Sequence, residues 1–320
     1  MPRLRLRRAS AAEPTTGPTT SPAEDGVVPP LPDVLVMTMA RDEADMLPRW
    51  IRYYADQVGM DHLIVLDDNS TDGSTDGLEC TVHRLPPLRF SGGRFEPIRM
   101  QLLSGLAQGF LATYDVVVFV DVDEFLVADP ARHADLRTFL ATRSDRDVIA
   151  PVGLNIVHLP QSEGPLRPDE PVLGQRRFAQ FTPLMCKPAV KRVPAGWRWA
   201  SHGIEAPFAV DPELFMVHLK FADRDALRRV ATHRKAMVDT DGRARKSSWS
   251  RDADQVLAVF DQAVADVVPD DVPELDVSAL DLSAVVERKD GWYRAVGRGQ
   301  LPAIRHEPLV RVPSRLLGTV

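Results

Sequence analysis

Hydrophobic positions along this chain follow two alternating rhythms. Val34-Leu35-Val36-Met37-Thr38-Met39 is a short, nearly unbroken apolar run, the pattern of a strand buried on both faces. Apolar residues at 47, 50, 51, 54 and 58 then keep the i, i+3, i+4 spacing of one buried helix face. Asp45 is placed to cap that helix, and Pro48 falls in its first turn. His62-Leu63-Ile64-Val65-Leu66 predicts a second strand. Strand, helix, strand in that order is a βαβ unit and hence a parallel sheet. A helix with Leu102, Leu103, Leu106 and Phe110 on one side leads into the most hydrophobic stretch, Val116 to Leu126, predicted as one central strand.

Beyond it the pattern predicts a short helix over 136–141, a strand over 148–152, and a proline-rich loop over 158–172 of the length that lids often have. Strand-like pieces follow around 185–193 and 214–221. Asp223 is placed to cap a helix running to about Met237, and a last helix is predicted over 252–268. The expected fold class is α/β, a mostly parallel sheet flanked by helices, with a helical C-terminal appendage. Three segments are expected: a disordered leader over 1–32, rich in Pro, Thr, Ser and Ala, a main domain over 33–222, and a helical region over 223–320.

Composition narrows the function classes. With 320 residues, 44% of them hydrophobic, the chain can bury one large core or two modest ones. A net charge of −6 argues against nucleic acid as a partner, which would favour a basic face. Only two cysteines, Cys80 and Cys186, are present, too few for a disulfide framework, so a reducing, cytoplasmic setting is expected. No apolar run approaches the roughly 18–20 residues that span a bilayer. Arg3, Arg5, Arg7 and Arg8 carry no following apolar segment, so they form no secretory signal. They leave peripheral contact with an anionic membrane as the one membrane role to consider.

The chemistry concentrates at strand ends. Asp121 and Asp123 stand at i and i+2 of the predicted central strand, so both carboxylates should face one small volume at the sheet's C-terminal edge, where α/β folds bind ligands. Two like charges that close call for a cation, and oxygen ligands suit Mg²⁺ or Mn²⁺. Asp-x-Asp alone also occurs in solvated turns. Asp67-Asp68-Asn69-Ser70-Thr71-Asp72-Gly73 ends the second strand and admits two readings besides a plain turn. Asp68, Ser70, Asp72, Gly73 and Glu79 match positions of a calcium loop, although such a loop needs a helix on each side. Alternatively, the acidic and hydroxyl side chains hold a nucleoside by its base and ribose.

Three segments together resemble a known family. Met39-Ala40-Arg41-Asp42-Glu43-Ala44, Leu66 through Gly73, and Phe119-Val120-Asp121-Val122-Asp123-Glu124-Phe125-Leu126 are similar to the landmarks of family 2-like glycosyltransferases of the GT-A (Rossmann-like) fold, in the branch whose metal motif reads Asp-x-Asp-Glu-Phe. The resemblance spans about residues 34–240. It implies transfer of a sugar from a UDP-, GDP- or dTDP-linked donor, with Mn²⁺ or Mg²⁺ and inversion at the sugar. By matching positions, Ala40, Arg41 and Glu43 would lie near the base and Asp68 at base or ribose. Asp121 would serve the ribose and Asp123 the metal, with Glu124 supporting from behind and Arg94 near the phosphates. His218-Leu219-Lys220-Phe221 and Lys235 resemble the branch's His-aromatic pair and helical Lys, with Leu219 departing from the aromatic. His218 is thus a candidate third metal ligand or phosphate contact, beside the ordinary role of a packed histidine. Lys187 and Lys191 read as surface cations.

An inverting transfer also needs a general base at the acceptor hydroxyl. Glu205, next to His202-Gly203, is the first candidate, with Asp211 and Glu163 as rivals. Trp197 and Trp199 are candidates for an acceptor platform. The acceptor itself, whether a glycan, a lipid-linked sugar or a small molecule, has no signature. Two alternatives stay open: a nucleotidyltransferase, which would usually carry a Gly-rich loop after the first strand, and a non-catalytic calcium- or carbohydrate-binding module.

Overall fold

Strands form where the apolar runs lie, and a computed structural model describes residues 30–91, 94–245 and 247–320. The leader expected over 1–32, with Arg3, Arg5, Arg7 and Arg8, falls almost wholly outside the described residues. Four strands make the parallel centre of the main sheet: β1 (Val34–Ala40), β2 (Leu63–Asp67), β3 (Thr81–Arg84) and β4 (Val116–Phe119), in the order β3-β2-β1-β4. Every residue of β1 and β4 is buried, as a strand covered on both faces demands. Helix α1 (Leu47–Val58) covers one face with Trp50, Ile51 and Tyr54; α2 (Phe95–Phe110) covers the other with Met100 and Leu103. Met46, not Asp45, caps α1; Asp45 instead pairs with Arg229 at 2.8 Å.

The run expected to be one strand is two. β4 stops at Phe119, a turn closed by Glu124 N–H donating to Asp121 C=O (3.0 Å) follows, and β5 (Glu124–Ala128) leaves in another direction. The two aspartates and the valine between them interrupt the ladder, because carboxylates at the cavity find charge partners there and no place in a strand core. After α3 (Leu136–Ala141) come β6 (Val148–Val157), the single turn α4 (Val172–Gln175), β7 (Phe178–Phe181), β8 (Val190–Lys191), β9 (Trp197–Arg198), β10 (Gly203–Ile204) and β11 (Ala209–Phe221). β6, β7 and β8 extend the sheet beyond β4, and β11 runs between β6 and β5, parallel to the first and antiparallel to the second. The fold is therefore mixed α/β with a parallel centre and helices on its faces.

Asp223 caps α5 (Arg224–Asp241) through Ala226 N–H, where the sequence put it, and α6 (Ala253–Val264) begins just after Asp252, which caps it. The tail is not a helical appendage. β12 (Val286–Lys289) and β13 (Trp292–Ala295) join β10 and β9 in a second sheet, and after α7 (Gln300–His306) the strand β14 (Leu309–Arg311) pairs with β7 of the main sheet. Leu31–Val320 is accordingly one compact unit, with no division near residue 222. The short, proline-broken pieces of the tail have no periodicity of their own, since β13 and β14 find partners in β10 and β7, far back along the chain. Among the described residues no helix is long and apolar enough to cross a membrane.

Candidate active site

Four chain segments meet at the C-terminal edge of the parallel strands around a cavity of about 660 Å³. β1 delivers Ala40, Arg41 and Glu43. β2 delivers Asp68, whose N–H donates to Ala40 C=O at 2.8 Å and ties the two strand ends together. Asp42, at φ 54°, accepts from Thr71 N–H (2.6 Å) and Asp72 N–H (3.2 Å), so the two loops interlock. Asp67 accepts from Ser70 N–H at 2.7 Å and shapes the turn. Ser70 and Asp72 are thus spent on backbone, and Asp68 on Arg243 at 2.6 Å. The calcium-loop reading fails on this geometry, because its side chains do not converge on one point.

The turn between β4 and β5 holds the carboxylates, and each meets a different partner. Asp121 pairs with Arg99 (2.5 Å) and Lys187 (3.3 Å). Burial alone would raise its pKa, but these two cations hold it far below the usual carboxylate range. Glu124 is buried and pairs with the same Lys187, while its other oxygen accepts from Asp121 N–H at 3.2 Å. Burial pushes Glu124 upward, with Lys187 opposing. Asp123 faces His218 Nε2 at 3.4 Å and Arg234 at 3.9 Å; burial raises it, yet His218 and Arg234 bring it down to about 2.

His218 is set by the sheet. On β11 it lies opposite Glu124 of β5 and Asn155 of β6. Thr182 Oγ1 donates to Gln180 C=O (3.4 Å) and accepts from Asn155 Nδ2 (2.9 Å), which turns Asn155 Oδ1 toward His218 Nδ1 at 2.5 Å. Nδ1 is therefore the donor, and in the neutral ring Nε2 presents a lone pair to the Asp123 carboxylate. Two acceptors 3.4 Å apart require a proton or a cation between them. Asp123, Glu124 and His218 bring one donor atom each to within 4.8 Å of one another, a nitrogen-and-oxygen set able to hold a divalent metal ion.

Basic side chains line the same cavity. Lys220, next to His218, is pushed down to about 7 by burial and by nearby Arg234. His202 donates Nδ1–H to Leu184 C=O (2.7 Å) and is pushed down to about 3, chiefly by burial and then by Lys187. On the acidic side, Glu43 is pushed up to about 8, first by burial, with Arg234 lowering it and Asp123 and Asp121 raising it further. A carboxyl whose folded pKa lies above its unfolded value contributes stability that is full below the unfolded value and is lost as pH rises toward the folded one. In chelator, Glu43→Gln should therefore leave stability nearly unchanged at pH 4.5. At pH 8.5 it should add about 2 kcal/mol, after discounting for partial exposure. Urea midpoints at the two pH values check this; an equal effect at both would mean that folding does not raise the carboxyl's pKa.

Of the residues marked from sequence, Ala40, Arg41, Glu43, Asp68, Asp121, Asp123 and His218 line the cavity together. Asp72, Glu124, Lys187, His202 and Lys220 line it as well, and other marked residues lie elsewhere. Arg94 is an exposed residue at the start of α2, and Arg99, one turn on, reaches Asp121 instead. Glu205 is exposed and accepts from Gly196 N–H at 2.8 Å; Asp211 is buried against Arg143 (2.7 Å) and Arg146 (3.2 Å); Glu163 accepts from Leu159 N–H. None of these three lines the cavity, because each carboxylate is consumed in holding a loop or strand end. Lys235 pairs with Asp239 on α5, and its neighbour Arg234 enters the cavity. Lys187 and Lys191 are not surface cations: both are buried, Lys191 donating to Ala195 C=O and lying 3.8 Å from the Trp197 ring centroid.

Sequence reasoning takes Lys187 for a surface cation and gives no role to Arg99 or Arg234, yet a signal exists. Arg99 stands four residues from both Phe95 and Leu103, Arg234 stands three from Ala231 and four from Val238, and Lys187 interrupts an apolar run. A cation on an otherwise apolar stripe needs a buried acid to face.

No family model matches the chain, and no curated protein matches it either. Among solved structures it is similar to a mannosyltransferase from Pyrobaculum calidifontis in complex with GDP-Man and Mn²⁺, at 19% identity and TM-score 0.24 over 38% of this chain. It is also similar to a mycobacterial protein, at 22% identity and TM-score 0.26 over 41% of this chain. The chain spans 36% and 44% of the lengths of these two structures.

Proposed function

We propose that this chain is a GT-A-type glycosyltransferase that moves a sugar from a nucleoside-diphosphate donor to an acceptor hydroxyl with the help of Mn²⁺ or Mg²⁺. The observation that carries this reading is the meeting of Asp123, Glu124 and His218 with Asp68, Arg41 and Glu43 in one cavity, faced by Lys220 and Arg234. Asp123 and His218 are assigned as cation ligands. Glu124 is shared with Lys187, and Asp121, already neutralised by Arg99 and Lys187, is left to accept from ribose hydroxyls. The cation would neutralise charge that grows on the leaving diphosphate as the sugar–oxygen bond breaks. Arg234 adds positive charge beside Asp123, and an arriving diphosphate would favour the protonated form of Lys220. Asp68 and the Ala40–Glu43 loop would hold the nucleoside.

Ligand linkage tests this directly. At a hundredfold excess over the dissociation constant, a donor nucleotide stabilises the fold by about 2.7 kcal/mol, hence a melting shift of roughly 5–10 °C for a chain of this size. UDP, GDP and dTDP should be compared with and without Mn²⁺, one of them shifting the melt only when Mn²⁺ is present. No shift with any of the three would remove the reading.

A further inference from the structure

Trp199, Ala200 and Ser201 have φ values of 53°, 52° and 63°, three consecutive non-glycine residues in the left-handed region. Such a turn persists only where its surroundings over-determine it, and strain of this kind clusters at binding sites. Its product is a particular placement of one indole. The Trp199 ring lies against Gly203 of β10, where an added Cβ would come within 2.5 Å of Cε3. Trp292 of β13 meets it edge-on, with centroids 6.1 Å apart and planes at 65°. The guanidinium of Arg198 lies 5.1 Å from the Trp199 ring and 5.3 Å from that of Trp292, and Arg294 lies 5.4 Å from Trp199.

Both tryptophans stay partly exposed, unlike Trp50 and Trp197, which are buried. Arg198 is exposed and, among the described residues, has these ring contacts and no acidic partner. The same turn leads straight into the cavity, whose wall includes Ala200 and His202. A patch of partly wet indoles and guanidinium beside a proposed transfer site has a definite complement. Indole faces stack on the C–H faces of a pyranose ring, and guanidinium donates to its hydroxyls or to an acidic substituent.

Resting on the glycosyltransferase reading, we propose that Trp199 and Trp292 form the acceptor subsite, and that the acceptor is a saccharide whose ring stacks there with its terminal hydroxyl directed into the cavity. Arg198 makes acidic saccharides the better ligands. Calorimetric titration of the full chain with tetragalacturonate and with mannopentaose tests this. Binding of at least one is expected, weakened tenfold or more by Trp292→Ala and by Trp199→Ala, while Arg198→Gln weakens tetragalacturonate selectively. Should Trp199→Ala melt early, Trp292→Ala and Arg198→Gln carry the comparison, since neither residue belongs to the left-handed turn and Arg198 is exposed. No saccharide binding by the unaltered chain, or binding indifferent to both tryptophans, overturns the proposal. Titration of the unaltered chain with UDP, GDP and dTDP plus Mn²⁺ tests the donor site separately, so that failure of one reading is not mistaken for failure of the other.

Discussion

Asp123→Ala is expected to lower the rate of sugar transfer, and of slow donor hydrolysis, by about a hundredfold to a thousandfold, the range found when one group that stabilises developing charge is removed. The carboxylate is half-buried, held down to about 2 by His218 and Arg234, and so ionised throughout the working pH range. Its removal leaves His218 without an anionic neighbour on Nε2 while Nδ1 keeps its bond to Asn155. The ring therefore stays in place, and the fold should survive with a melting temperature in chelator within a few degrees of the unaltered chain. What should vanish is the extra stabilisation by Mn²⁺ with donor nucleotide. Asp121→Ala, by contrast, should keep part of the Mn²⁺ response, because its carboxylate is engaged by Arg99 and Lys187. Full activity in Asp123→Ala would sink the site; equal loss of the Mn²⁺ response in both variants would sink the division of labour.

Much of this site could be read before the structure. The β1 and β2 strands, the Asp68 turn and the helix cap at Asp223 follow local rules of period and capping, whereas the nearness of His218 to Asp121 and Asp123 was implied by the family resemblance alone. What could not be read was set by long-range partners. Asp121 and Asp123 were expected side by side on one strand; they stand on a turn and face different cations. Glu205 and Asp211 looked suited to proton transfer by position alone, and each is committed to a local bond that no spacing rule reveals. The tail looked like an appendage because its strands are three or four residues long, and only pairing with β7 and β10 gives them a role. Trp292 lies in that tail, far along the chain from Trp199, so sequence position pairs Trp199 with Trp197 instead.

Lys187→Met should be the most damaging single substitution for stability near this cavity. Met matches the length of Lys and fills the space, so the loss isolates the charge. Lys187 is 2% exposed and faces Glu124, itself 1% exposed, together with Asp121. Removing one partner of a buried pair costs about 3–5 kcal/mol, because the other charge is left without compensation. At roughly 2–4 °C per kcal/mol, the melting temperature should fall by about 6–20 °C. Glu124 can limit the damage by taking a proton, since burial already pushes it upward and Lys187 was the main opposing influence. A raised carboxyl favours the folded state at low pH and loses that contribution as pH rises. The cost of Lys187→Met should thus be small at pH 5 and full at pH 8. Adding Glu124→Gln should recover much of the loss at pH 8 and little at pH 5, a coupling that two independent defects would not produce. If the single variant instead loses the same amount at both pH values, or the second substitution only adds to the loss, then packing and not the buried charge pair supports this turn.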